Sequence, residues 1–411
     1  MQILAKVKEK GFKKSVQIVV DKFINYINQY FILIFRNLSI IDTLIVFESE
    51  GDYTDNAQAL YQYMLDNGYL KKYKIVWLVD YVKNFQTNPL FKNTIFCSKK
   101  RSQLHIRTCY YLARCKYYIY DHNNLLSDIK KRNHQVIICL WHGAPFKAAT
   151  RNQPDITVDE GYTTGKLFIK GSSDFIGCPI SKMIDIGYPR NDYLLKKFNH
   201  YQVEFIKKYQ FELYTKIIFW MPTFRKSINS SISQDYFTNE TGLPILVTEM
   251  DLKNFSEWLR QQNLLCIFKV HHLQLELPIF KKTYSNILLL KDEMIIKNKL
   301  QLYQIMPMAD ILITDYSSVS VDFMLLDRPI IYTLDDYEEY KKSRGFVFEN
   351  PISYFAGYHV YNQKNLYDAI EEIVSGQDRF SEERKKVLPQ MHTFIDTSAS
   401  KRILEHLQIE V

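Results

Sequence analysis

The sequence predicts an α/β chain in which two Rossmann-like, doubly wound halves face each other across a cleft, preceded by an amphipathic N-terminal helix. After residue 40, short apolar runs alternate with amphipathic stretches, the pattern of a mostly parallel sheet with helical crossovers. At 411 residues, 46% hydrophobic and 24% charged, the chain is long enough for two domains and apolar enough to give each a core. A charged segment at 194–214 separates a first series of runs from a second. The expected units are therefore 1–40, 41–205 and 206–411.

The first unit opens with Lys6, Lys8, Lys10, Lys13 and Lys14. Val16, Val19, Val20, Phe23, Ile27, Tyr30, Phe31 and Ile34 then recur at three- and four-residue steps, which predicts an amphipathic helix. Asp21, Lys22, Asn25, Asn28 and Gln29 interrupt it, and a span needs about 20 predominantly apolar residues. The helix is expected to lie in the headgroup plane of an anionic leaflet or, alternatively, against the protein's own core. No apolar h-region with a cleavage site marks a secretory signal.

Strands are expected at 43–47, 73–78, 94–97, 117–120, 136–140 and 183–186, with helices at 55–66 and 102–113 between them. In the second series strands are expected at 216–220, 264–270, 286–290, 310–313 and 329–333. Helices at 252–261, 298–306, 319–326 and 366–375 separate them, and the polar stretch 227–242 reads as a long loop.

Composition narrows the function classes. Aromatic residues make up 15% of the chain, which excludes a mainly disordered protein. Glycine is scarce at 13, and neither glycine-rich phosphate-loop pattern occurs. The six cysteines form no Cys-x-x-Cys pair and read as buried free thiols of a reducing compartment. A net charge of +8 suits an anionic partner. Its clusters, Lys99-Lys100-Arg101, Lys130-Lys131-Arg132 and Lys281-Lys282, form no single stripe, so nucleic acid is not the expected partner.

In doubly wound sheets ligands collect at the carboxyl ends of the strands. There stand His142 and Gly143, in Trp141-His142-Gly143-Ala144-Pro145, where an imidazole past a buried strand can take a proton from a hydroxyl. Gly187-Tyr188-Pro189-Arg190-Asn191-Asp192 offers Arg190 to an anion and Asn191 or Asp192 as a helix cap. Pro222-Thr223-Phe224-Arg225 and Lys269-Val270-His271-His272 add cations suited to phosphate. Adjacent histidines point apart and no carboxylate stands at ligand spacing, so a metal is not expected there. The segment from Asp310 through Thr314, Asp315, Ser317 and Ser318 to Asp322 reads as strand, tight turn and helix, a seat for pyrophosphate. Asp322, in an apolar helix, is placed to hold that turn from behind.

These motifs, in this order, resemble the CDP-glycerol glycerophosphotransferase family of teichoic acid and capsule synthesis. Its patterns Trp-His-Gly-Thr-Pro, Gly-Tyr-Pro-Arg-Asn-Asp, Pro-Thr-[Trp/Phe]-Arg, Lys-x-His-Pro and Asp-x-x-x-Thr-Asp-Tyr-Ser-Ser all have counterparts here. Asp327-Arg328-Pro329-Ile330, Ser49-Glu50-Gly51-Asp52-Tyr53-Thr54-Asp55-Asn56 and Arg344-Gly345-Phe346 extend the match over about 43–405. Ala144 replaces the usual Thr, and His272 replaces the Pro after His271, which leaves open which imidazole faces the donor.

The resemblance implies a GT-B-like fold and a metal-independent transferase with no cofactor. It implies that 41–205 is the acceptor side and 206–411 binds the CDP-alcohol. His142 is then the base toward an acceptor hydroxyl. His271, Ser317 and Ser318 hold the donor pyrophosphate, and Arg225 and Lys269 add positive charge. Gly143, Arg190, Asn191, Asp192, Thr223, His272, Thr314, Asp315 and Asp322 complete the expected substrate-binding set. The implied partners are CDP-glycerol or CDP-ribitol, an undecaprenyl-linked or polymeric acceptor and the anionic cytoplasmic face of the membrane, where the chain is peripheral. Self-association into a homo-oligomer stays open. A GT-B glycosyltransferase using a nucleotide sugar is the alternative.

Overall fold

A computed structural model describes residues 12–86, 91, 93–100, 102–149, 155, 157–223, 239–271 and 274–411, without the side chains of 12–15 and 86. The strands are β1 (Ile41–Glu48), β2 (Lys74–Val79), β3 (Thr94–Ser98), β4 (Cys115–Tyr120), β5 (Val136–Cys139), β6 (Glu160–Thr163) and β7 (Met183–Asp185). They continue with β8 (Lys216–Trp220), β9 (Leu264–Phe268), β10 (Ile287–Leu289), β11 (Ile311–Thr314), β12 (Ile330–Thr333) and β13 (Tyr358–Val360). The first sheet is ordered β3-β2-β1-β4-β5-β6-β7 and the second β10-β9-β8-β11-β12-β13. All pairings are parallel. In each sheet the chain starts at the centre, runs to one side and then reverses. The switch points fall between β1 and β4 and between β8 and β11, which is where such sheets open a crevice.

Strand alternation builds a core on both faces of each sheet. Leu44 and Val46 of β1 join one cluster with Cys109 and Leu112, while Ile45 and Phe47 join another with Leu60 and Tyr61. Ile217 and Phe219 of β8 likewise face one way, Ile218 and Trp220 the other. The six cysteines are buried free thiols.

One core crosses between the lobes. Ala144, Phe146 and Phe168 of the first half pack with Tyr316, Phe323 and Phe355 of the second. The Phe146 ring lies 5.2 Å from Phe355 and 5.6 Å from Phe348. Beside it, Ala148 donates to the Gly345 carbonyl at 3.1 Å and Val347 to the Phe146 carbonyl at 2.8 Å. The chain then returns to its start. Helix Ala399–His406 contributes Ile403 and Leu404 to the core of the first sheet beside Ile45 and Phe47, so residues after 206 serve both lobes.

All the strands expected from the sequence are present, with ends moved by a few residues, and two more appear. β6 contains Gly161, where a Cβ would sit 2.7 Å from the Met183 sulfur; close packing, not β-propensity, makes it a strand. β13 has three residues, too short for any periodicity to show. The expected helix at 298–306 is shortened to Leu302–Ile305, and a separate helix, Asp292–Lys297, precedes it. Of the expected loop 227–242, only the part from 239 lies among the described residues.

The N-terminal helix spans Phe12–Phe35; Lys6, Lys8 and Lys10 lie outside the described residues. Val16–Phe35 is long and apolar enough to cross a bilayer by length and composition. In the structure it lies along the first lobe. Asn28 donates to the Gln103 carbonyl (2.9 Å) and accepts from the His105 amide (3.1 Å), while Phe31, Ile32 and Phe35 pack into the lobe's core. The rest of the apolar stripe faces outward, with Val19 62%, Phe23 65%, Tyr30 64% and Leu33 50% exposed.

Candidate active site

The crevice of the first lobe is built by the loops after β1, β4 and β5. Asp121, fully buried just past β4, accepts the amides of Glu50 (2.9 Å) and Ala57 (3.1 Å) and pins the β1 loop to the start of helix Asp55–Asp66. Burial, then the nearby Asp55 and Glu48 carboxylates, push the Asp121 carboxyl well above its usual range. Asn56 ties three segments together. Its amide donates to the Trp141 carbonyl at 2.6 Å, and its oxygen accepts from the Arg190 amide at 3.1 Å. Tyr53, Asp55 and Trp141, all with φ near +60°, gather strained backbone at this one edge.

His142 stands at its centre. Its Nδ1 lies 3.0 Å from the Asp121 carbonyl oxygen. A carbonyl only accepts, so Nδ1 carries the proton and Nε2 keeps its lone pair. Burial lowers the imidazole's pKa against the pull of that carbonyl, favouring the neutral ring. The His122 ring is 5.0 Å away, and Glu50 Oε2 is 3.7 Å from His122 Nδ1. The ligating atoms of Glu50, His122 and His142 all fall within 4.8 Å of one another. Two imidazoles and a carboxylate also form a donor set for a divalent transition metal. Sequence reasoning passed over Glu50 and His122 as site residues, although applying the strand-end rule to β4 exposes Asp121 and His122 at once.

The two lobes meet at Arg190. Its Nη1 donates to both Asp55 oxygens (2.8 and 2.9 Å), and its Nη2 to Asp322 Oδ2 (2.8 Å). Asn191 donates to Asp322 Oδ1 at 2.9 Å, the Tyr303 hydroxyl also reaches Asp322, and the Tyr303 ring lies 4.3 Å from the guanidinium. Burial alone lowers the pKa of Arg190, but Asp55, Tyr303 and Asp322 outweigh it and hold the guanidinium protonated. The sequence set Arg190 toward phosphate. Here its terminal nitrogens engage carboxylates, and among the described residues its buried Nε has no hydrogen-bond partner. Asp192 accepts from the amides of Ala399 (2.8 Å) and Ser400 (3.0 Å), so it anchors the returning C-terminal helix.

Gly143 brings the first lobe's loop against the serine turn of the second. A Cβ there would lie 2.4 Å from Ser318 Oγ, 3.1 Å from Ser318 Cβ and 3.6 Å from Arg190 Nη2, so any side chain would force Ser318 to shift. The loop that carries His142 thus meets Ser318 across the cleft at Gly143. Ser317 Oγ accepts the Val319 amide at 3.4 Å. Asp315 takes the Thr223 amide on both oxygens (3.1 and 2.9 Å), and the Thr314 hydroxyl donates to the Met221 carbonyl at 2.8 Å. These bonds lock the turns after β8 and β11 together at the second switch point. His271, half-buried, follows β9 at the same sheet edge, its amide 3.2 Å from Gln274 Oε1. Lys269 pairs with exposed Asp292 at 2.9 Å. Arg225 and His272 lie outside the described residues.

The family model described as CDP-Glycerol:Poly(glycerophosphate) glycerophosphotransferase matches residues 30–408. The chain is 26% identical over 359 residues to the teichoic acid poly(glycerol phosphate) polymerase of Bacillus spizizenii, covering 80% of this chain and 84% of that one. It is 26% identical over 393 residues to the teichoic acid glycerol-phosphate transferase of Staphylococcus aureus, covering 88% and 92%. It spans 46% of the corresponding Bacillus subtilis polymerase and 42% of the Staphylococcus epidermidis one, about half the length of these relatives. Among solved structures, a variant of the wall teichoic acid polymerase TagF with CDPG superposes with a TM-score of 0.72 at 19% identity, covering 94% of both chains. The two lobes therefore share the TagF-like, GT-B-like fold.

Proposed function

This chain belongs to the CDP-glycerol:poly(glycerophosphate) glycerophosphotransferase family, and on that premise we propose that it moves glycerol phosphate or ribitol phosphate from a CDP-alcohol to a hydroxyl of a lipid-linked glycan or polyol-phosphate acceptor. The product belongs to a teichoic acid or capsular polymer, and CMP is released.

The acceptor oxygen attacks the β-phosphorus as His142 Nε2 takes its proton; the bond from that phosphorus to the CMP oxygen breaks, and CMP departs with the electron pair. Nδ1–H, held on the Asp121 carbonyl, steadies the imidazolium that forms. Ser317, Ser318 and His271 line the donor side, and Lys269 and Arg225 supply charge toward the departing phosphate. The first lobe is the acceptor side and the second the donor side. The observation that carries this reading is a neutral, tautomer-fixed His142 on a loop that closes against the serine turn at Gly143.

The outward apolar stripe of helix Phe12–Phe35 supports a peripheral position on the cytoplasmic face of the membrane, where a lipid-linked acceptor is carried. Nucleotide release measured with CDP-glycerol, CDP-ribitol, UDP-sugars and CMP-sugars tests the donor class. CMP release is expected with a CDP-alcohol alone; turnover confined to a nucleotide sugar would overturn the proposal in favour of a glycosyltransferase.

A further inference from the structure

Far from the catalytic edge, at the amino ends of the first sheet's strands, lies an open cleft of about 630 Å³. Ile40 and Asp42 at the start of β1 and Lys130, Arg132 and His134 ahead of β5 line it. Arg36 and Lys116 stand behind this lining, and the cations in and beside the cleft are unusually placed. Arg36 Nη1 donates to the Lys130 carbonyl (2.5 Å), Arg132 donates to the carbonyls of Ala113 (2.7 Å) and Leu38, and Lys116 donates to the His134 carbonyl (2.9 Å). Neutral carbonyls fix these groups in position without cancelling their charge. Among the described residues, Arg36, Lys116, Lys130 and Arg132 make no ion pair, whereas Lys131 is paired with Asp159. Buried Arg36 Nε and Nη2 find no hydrogen-bond partner among the described residues, a costly arrangement unless an anion comes near. Burial, and then repulsion from Arg132, lower the Arg36 pKa, as expected of neighbouring cations. Asp42, exposed, is the one carboxylate lining the cleft.

The position says which anion. Arg36 directly follows helix Phe12–Phe35, whose outward face is apolar, and exposed Leu33, Ile34 and Leu38 carry that surface to Ile40 at the cleft's edge. An apolar stripe running into a fixed cluster of cations matches acyl chains lying beside phosphates. We propose that the cleft seats the phosphate of an anionic phospholipid headgroup when the helix lies on the bilayer. This rests on reading the helix as a membrane-surface element, and the experiment separates the two.

The full chain is sedimented with vesicles of phosphatidylcholine alone and of phosphatidylcholine with phosphatidylglycerol, with inorganic phosphate as a soluble competitor. Wild type is expected on both, more strongly on the anionic vesicles. Lys130→Gln should weaken partition onto anionic vesicles about five-fold, and Asp42→Asn should strengthen it by a similar factor, from roughly 1 kcal/mol per surface charge. Neither should alter binding to neutral vesicles. The gain expected of Asp42→Asn is not an outcome that misfolding produces. If both variants match wild type on anionic vesicles, the headgroup seat is wrong while the membrane reading stands. If wild type binds neither vesicle, both fall. If millimolar inorganic phosphate removes the preference for anionic vesicles, the cleft is a site for free phosphate and the lipid assignment is overturned.

Discussion

At the scale of single residues the site turns on which nitrogen of His142 is free. The Asp121 carbonyl fixes the proton on Nδ1, so the tautomer is set by backbone and not by a carboxylate partner, as the base we propose requires. Replacing it in His142→Ala should cut transfer by about 10²–10⁴-fold while CDP-alcohol binding, read by calorimetry, persists. Burial lowers this imidazole's pKa, so it stays neutral to a more acidic pH than a free histidine near 6.5. The acid limb of kcat/KM should therefore lie below pH 6.5, and a limb above that value would discard His142 as the titrating base. Gly143→Ala probes the lobe contact, since its Cβ would clash with Ser318 Oγ. Retained folding by circular dichroism with at least a ten-fold loss of kcat/KM is expected, because small displacements of reacting groups are costly. Chelation tests the Glu50, His122 and His142 set: activity unchanged in EDTA fits a base with neighbours, and loss restored by one metal would make it a metal centre.

At the scale of elements, periodicity identified helices and strands but not which way they face. Helix Phe12–Phe35 has the stripe expected of a core helix, yet it turns Asn28 and Gln29 toward the lobe and Phe23 and Tyr30 outward. Only the partner surface, which lies 70 or more residues away in sequence, decides that. The same holds for the last helix, which reads as part of the second half and docks on the first. Asp192 anchors it by three hydrogen bonds from Ala399 and Ser400. Asp192→Ala leaves those buried donors without partners and should cost about 1–2 kcal/mol, visible as a lower midpoint in chemical denaturation. An unchanged midpoint would show that apolar packing alone holds the helix.

For the whole molecule, an apolar seam and the Asp55–Arg190–Asp322 cluster join the lobes. A buried guanidinium between two carboxylates is destabilising to break, because the survivors are left charged and unpaired. Arg190→Leu should cost about 3–5 kcal/mol, and two resolved transitions in calorimetry, where wild type shows one, would mark the lobes unfolding apart. A single transition at the wild-type temperature would refute this role.

The sequence by itself determined the doubly wound architecture and the family. Those depend on local apolar patterning and on motifs that each sit within one short segment. The tertiary structure alone decided that Arg190 faces carboxylates, that Asp322 holds Asn191 and Tyr303 as well as Arg190, and that Gly143 meets Ser318. Those partners lie over a hundred residues apart, except Tyr303. Which of many charges becomes buried beside which other is a property of the packed chain, because desolvation and pairing exist only once distant segments exclude water together.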